Sequence, residues 1–137
     1  MELNYIEHIG IAVKDLASAI KFYEDTLGLS CYLIEEVSDQ QVKTAFFKIG
    51  QTKIELLEST SINGPVAKFI EQRGEGIHHI AFAVDNIEAQ LSDAGSKSIT
   101  LIDKAPRKGA EGLDIAFLHP KSMLGVLTEL CENKSVG

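Results

Sequence analysis

The stretch HIGIAVKDLASAI beginning at His8 recurs as HIAFAVDNIEAQL beginning at His79. One strand-and-helix unit has therefore been duplicated, with a histidine at the same place in each copy. No other feature constrains the fold as much, and two symmetry-related imidazoles predict one shared site. Within each copy large residues (Ile9, Ile11, Val13; Ile80, Phe82, Val84) alternate with small ones and the histidine (His8, Gly10, Ala12; His79, Ala81, Ala83). Period two puts the large aliphatics under the following helix and the histidines on the opposite face, where Gly and Ala leave room for something other than protein.

The repeat continues downstream. TAFFKIGQTKIELLE after the first helix and DIAFLHPKSMLGVLTEL after the second each predict a pair of apolar strands around a turn, with a carboxylate in the last strand, Glu55 and Glu129. His8 and His79 are 71 positions apart and Glu55 and Glu129 are 74, so the second hairpin turn, HPKSMLG, is longer by about three residues, an insertion of the kind turns tolerate.

Between these landmarks, Asp15 caps a predicted helix with Leu16, Ala19, Ile20, Tyr23 and Leu27 on one face, closed by Gly28. Strands are expected around Cys31 to Ile34, Thr44 to Ile49 and Lys53 to Leu57. Gly64-Pro65 starts a short helix with Val66, Phe69 and Ile70 inward, and RGEGI leads into the second copy. There a helix is expected from about Asn86 to Ala94, with strands near Ile99, Ile115 and Val126. The reading is α+β, a βαβββ module occurring twice in a single domain over 1–137: module one about 4–60, a linker helix about 64–74, module two about 76–132.

A chain of 137 residues suits one core or two small modules. With 45% apolar and 24% charged residues, and no apolar run near the ~20 residues that span a bilayer, it reads as an ordinary globule without a membrane partner. MELNYIEHIG has neither a basic nor a hydrophobic segment, so a cytoplasmic location is expected. Cys31 and Cys131 read as reduced, mostly buried thiols. A net charge of −7 with no basic stripe argues against nucleic acid. Lys104, Arg107 and Lys108 nevertheless crowd one loop, DKAPRKGAEG; with Lys121 they are candidates to meet an anionic substrate, a solvated basic loop being the equal alternative.

Singly, a histidine on a strand is usually structural. Glu129 is harder to dismiss, because it shares a strand face with Leu127 and Cys131, where a carboxylate needs a cation or donors to offset its desolvation. His8, Glu55, His79 and Glu129 together, at equivalent positions of a duplicated unit, form a pseudo-twofold N2O2 set suited to a divalent ion with positions left for substrate or water. His78 faces the other side of the sheet and reads as a packing residue. His119, beside Pro120, reads as a turn or rim residue.

EHIGIAV, FYEDTLGL, KIELLE, GEGIHHIAFAV, FLHPKS and GVLTEL, in this order and spacing, resemble the vicinal oxygen chelate superfamily (glyoxalase/bleomycin resistance/dioxygenase) and, within it, the methylmalonyl-CoA epimerase family, over roughly Tyr5 to Cys131. The resemblance implies two βαβββ modules whose sheets form a cupped, incomplete β-barrel around one divalent ion per chain (Co, Mn, Ni, Zn or Mg), in a homodimer. The family's metal ligands fall on His8, Glu55, His79 and Glu129; some members have Gln at the position of Glu55. The implied activity is C2 proton abstraction and reprotonation of methylmalonyl-CoA through a metal-stabilised enediolate, with Glu129 as the catalytic carboxylate. Lactoylglutathione lyase chemistry is the alternative, and a non-catalytic small-molecule-binding resistance protein a third. The chain departs from the pattern at three places: DQQV (Asp39 to Val42) for EQGV, GAEG (with Glu111) for GAGG, and LGVL (Leu124 to Leu127) for GGVL. Lys43 and Thr44 stand where some epimerases have a second acid/base glutamate.

Overall fold

The structure is a computed structural model and describes residues 1–134. Its elements are β1 (Tyr5–Ala12), α1 (Leu16–Leu27), β2 (Leu33–Val37), β3 (Val42–Ile49), β4 (Thr52–Ser59), α2 (Pro65–Arg73), β5 (Gly76–Ala83), α3 (Ile87–Ser96), β6 (Arg107–Lys108), β7 (Asp114–Leu118) and β8 (Thr128–Glu132). The class is α+β, as the repeat predicts. No helix among the described residues is long and apolar enough to cross a membrane. By its contacts the chain divides into two compact units, a first of residues 8–78 and a second in which residues 1–7 join the chain from His79 onward.

In the first unit β1 lies parallel to β4, β4 antiparallel to β3, and β3 antiparallel to β2. The alternation read from sequence sets the two faces. Ile11, Val13, Ala45, Phe47, Ile54 and Leu56 pack with Leu16, Ala19, Ile20 and Tyr23 of α1, which leaves His8, Gly10 and Ala12, Thr44 and Phe46, and Glu55 and Leu57 on the other side. Asp15 caps α1 by accepting from the Ser18 N–H, and Gly28 ends it in the left-handed conformation. Leu27 is exposed rather than inward. The turn at Gly28 returns the chain, with the Leu29 N–H on the Tyr23 carbonyl, and Leu29 packs against the core instead, the usual hydrophobic companion of such a cap. β2 begins at Leu33, two residues after the expected Cys31, whose backbone N–H is taken by the Glu24 carboxylate.

In the second unit β5 lies parallel to β8, with β7 and β6 following antiparallel. Phe82, Val84, Ala116, Leu118 and Leu130 pack with Ile87, Leu91 and Ala94 of α3. Ala81, Leu113, Ile115, Phe117 and Cys131 form an apolar cluster on the other face, with Leu127 against it. Asn86 caps α3 by accepting from Ala89 N–H at 3.0 Å. Residues 1–7 are tied in by Asn4 N–H on the Ala83 carbonyl and Glu2 N–H on Gln90 Oε1.

The expected strand near Ile99 does not form. Ile99 is half-buried and packs against the core, and this stretch makes a single bridge, Leu101 to Leu118. Asp103 takes over there: its Oδ2 accepts from the Phe117 N–H at 2.9 Å, and the Phe117 carbonyl accepts from Ile102 and Asp103. A side chain has replaced a ladder partner, and the outer strand is displaced to the two residues of β6. The strand expected near Val126 begins at Thr128.

The three departures from the family pattern share a property. Gln41, Glu111 and Leu124 all have positive φ, at 54°, 58° and 57°, the left-handed region where glycine is at ease and other residues are strained. The backbone keeps the turn while the residue that suits it has been exchanged.

Candidate active site

Each unit carries one buried histidine and carboxylate on the face its helix leaves uncovered. In the first, β1 presents His8 and β4 presents Glu55, and His8 Nδ1 lies 3.1 Å from Glu55 Oε2. Gly10 and Phe46 both pair in register with Glu55, so a residue without a side chain flanks the carboxylate on one side. In the second, β5 presents His79 and β8 presents Glu129, with His79 Nε2 3.3 Å from Glu129 Oε1. Here Ala81 and Phe117 are the register partners of Glu129. None of the four is more than 4% exposed. Phe46 precedes Glu55 by nine positions and Phe117 precedes Glu129 by twelve, so the three extra residues fall in the hairpin turn, as the unequal spacings of the repeat require.

The geometry within each pair suits a shared positive charge. Two ligand atoms each ~2.1 Å from a divalent ion, at tetrahedral or octahedral angles, stand about 3.0–3.4 Å apart. A proton between imidazole and carboxylate gives a similar separation.

Sequence reasoning passed over three features of this site. Cys131, read from sequence only as a reduced, buried thiol, donates from Sγ to Glu129 Oε2 at 2.9 Å; the i, i+2 spacing on one strand is the signal for it. The Phe117 ring meets the His79 imidazole edge-on, centroids 5.7 Å apart, which restricts that ring's orientation. Behind the sheets, Glu58 Oε1 accepts from Leu16 N–H at 2.6 Å and Glu132 Oε1 from Ile87 N–H at 2.8 Å. Each carboxylate stands three residues after its unit's candidate ligand glutamate and holds the first turn of its unit's helix, so the same 74-residue offset relates both pairs of glutamates.

The remaining candidates separate. His78 packs edge-on against Phe69 of α2 at 5.0 Å, a packing role as expected. His119 is a turn residue whose Nδ1 accepts from the Lys121 N–H. Lys108 is engaged by Asp114 at 2.7 Å and Arg107 by Asp103 at 3.0 Å, while Lys104 and Lys121 are exposed. Neither Cys31 nor Cys131 is in a disulfide, and only the second is fully buried.

The sequence pattern of the glyoxalase/bleomycin resistance protein/dioxygenase superfamily matches residues 7–117. An uncharacterized protein of Bacillus subtilis is 45% identical over 96% of this chain and 94% of its own. The ethylmalonyl-CoA/methylmalonyl-CoA epimerase of Cereibacter sphaeroides is 38% identical over 93% of this chain and 97% of its own. Among solved structures, methylmalonyl-CoA epimerase in complex with methylmalonyl-CoA and NH4+ superposes with a TM-score of 0.95 at 38% identity, covering 98% of both chains. With a repeated βαβββ unit, a buried histidine and glutamate in each copy, and this likeness along nearly its whole length, the chain belongs to the glyoxalase/bleomycin resistance protein/dioxygenase superfamily, in its methylmalonyl-CoA epimerase family.

Proposed function

We propose that the chain epimerises methylmalonyl-CoA at C2, and that His8, Glu55, His79 and Glu129 are the ligands of one divalent ion. The observation that carries this is the twofold recurrence of a buried imidazole 3.1–3.3 Å from a carboxylate. A buried carboxylate is costly without a cation or hydrogen-bond donors, and the same expensive arrangement has been kept in both copies. A divalent ion in the set would supply Lewis acidity toward the oxygens of a thioester and a carboxylate, which acidifies the carbon between them.

The chain's own residues then divide the work. Glu129 takes the C2 proton, because one of its oxygens faces His79 and the other is steadied by the Cys131 thiol, so its orientation is set before substrate arrives. His79, held against Phe117, fixes the Glu129 oxygen that faces it. Glu55 and His8, on the first unit's open face, complete the set. A proton from solvent delivered to the opposite face of C2 inverts the centre, and the proton on Glu129 passes to solvent. A homodimer in the cytoplasm is the proposed setting.

Hydrogen exchange at C2 tests the reaction. The protein, supplied with Co, Mn, Ni, Zn or Mg in turn in D2O, is expected to label methylmalonyl-CoA at C2 and interconvert its epimers. Absence of exchange with every ion would overturn the assignment. Consumption of the hemithioacetal of methylglyoxal and glutathione would install the lyase reading, and neither reaction would favour a binding protein.

A further inference from the structure

We infer that Arg107 is a specificity-determining residue, whose guanidinium grips an oxyanion of the thioester substrate; this rests on the thioester reading above and names which side chain recognises its charge. Of the four candidate cations, Arg107 is the one that strand register places on the working face. It pairs in register with Ile115, and directly paired residues of an antiparallel ladder project to the same side. Ile115 belongs to the cluster with Ala81, Phe117 and Cys131, the side that also carries His79 and Glu129. Lys108, its neighbour, alternates to the other side and is held by Asp114.

The guanidinium is oriented rather than loose. Its Nε donates to Asp103 Oδ1 at 3.0 Å, and the other oxygen of Asp103 is fixed by the Phe117 backbone N–H. The guanidinium carbon sits 5.7 Å from the centroid of the Phe117 ring, and that same ring packs against His79. A cation over an aromatic face is favoured and partly dehydrated. Among the described residues Asp103 is the sole carboxylate paired with Arg107, and it occupies Nε alone. The two Nη groups are left as a planar fork, the geometry that matches a carboxylate or a phosphate. The side chain is 35% exposed, open enough to be reached. One ring thus separates an anchored anion receptor from the imidazole beside Glu129.

A thioester of this class offers two oxyanions, the carboxylate on the acyl group and the phosphates of the nucleotide, and three probes tell them apart. Binding of malonyl-CoA, propionyl-CoA and S-malonyl-pantetheine is measured by calorimetry to the metal-loaded parent, R107M and R107K, with thermal melts to verify folding. If the fork holds the acyl carboxylate, R107M weakens both malonyl ligands by about tenfold or more and leaves propionyl-CoA unchanged. If it holds a phosphate, both CoA thioesters weaken alike and S-malonyl-pantetheine does not. R107K, which keeps charge but not the fork, falls between parent and R107M in either case. Equal binding of all probes by parent and variants, or equal loss of all three, overturns the role of Arg107 while leaving the thioester reading intact. A parent that binds none of the three overturns both.

Discussion

The two units are copies of one plan, and their differences are unevenly placed. The strands that carry His8 and Glu55 and those that carry His79 and Glu129 match residue for residue around the pair, down to a small residue and a phenylalanine in register with each glutamate. Away from the pair the copies diverge. The first closes its sheet with the five residues of β2 and a tight turn at Gly50; the second keeps only two residues of β6 and spans β7 to β8 with a longer turn holding His119, Lys121 and Leu124. The second copy alone adds Cys131 and Arg107 around its pair. The buried pair is common to both copies, and the loops around it are not.

That asymmetry predicts unequal consequences for equivalent substitutions. Glu129→Gln is expected to lower kcat about 10²–10⁴-fold at unchanged bound metal, since proton transfer is lost, whereas Glu55→Gln keeps an oxygen ligand and is expected to cost about tenfold or less. Turnover normalised to metal content by elemental analysis is the measurement. Equal losses would make the two glutamates alike in role and remove Glu129 as the proton carrier. His8→Ala and His79→Ala are both expected to weaken metal retention.

The next comparison concerns carboxylates that brace the helices. Glu58→Gln and Glu132→Gln replace an anion on the first N–H of α1 and of α3 with a neutral amide, which also weakens the interaction with the positive helix end. Each is expected to cost about 1 kcal/mol. Urea titration of both variants reads this directly, and a large difference between them would show that the two braces are not equivalent.

Much of this was legible in one dimension. The alternation around His8 and His79 identified the working face of each sheet because a half-buried strand has no other way to arrange large and small side chains. The offset of 71 against 74 located the longer turn. What escaped depended on pairings across the sheet. Glu58 lies 42 positions from the helix it holds, and no local periodicity announces that. The strand expected at Ile99 was overruled by Asp103, whose carboxylate takes the Phe117 N–H that a neighbouring strand would have taken. Apolar residues there signalled contact with the core correctly but strand wrongly, because Ile99 is half-buried against the cluster under α3 rather than held in a ladder.

Acid probes the outer edge of the second unit. Asp114, next to β6 in the second unit, is held below the usual carboxylate range, chiefly by its hydrogen bond to Lys108, with Lys134 adding to it. A carboxyl whose pKa is depressed by folding stabilises the fold fully above its unfolded value of ~3.9, and that contribution is lost as pH falls through the lower folded value. Lys108→Met is therefore expected to destabilise the protein near neutrality and to converge with the parent in stronger acid. A constant difference across both limbs would place the effect in packing.

The smallest effects are expected at the three left-handed turns, one in the first unit and two in the second. Gln41, Glu111 and Leu124 adopt φ of 54°, 58° and 57°, where a Cβ costs roughly 1–2 kcal/mol. Glycine removes that cost but adds about 0.5–1 kcal/mol of unfolded-chain entropy. Gln41→Gly and Glu111→Gly are each expected to gain about 0.5–1 kcal/mol. Leu124 is fully exposed, so Leu124→Gly loses no burial and should gain as much. Midpoints of urea unfolding for the single variants and the triple variant check this, and the separation of the sites predicts additivity. A loss of stability at Glu111 alone would mean that its side chain makes contacts worth more than the strain. That would place a second recognition residue on the loop that carries Arg107, and the asymmetry between the copies would be larger than the buried pairs suggest.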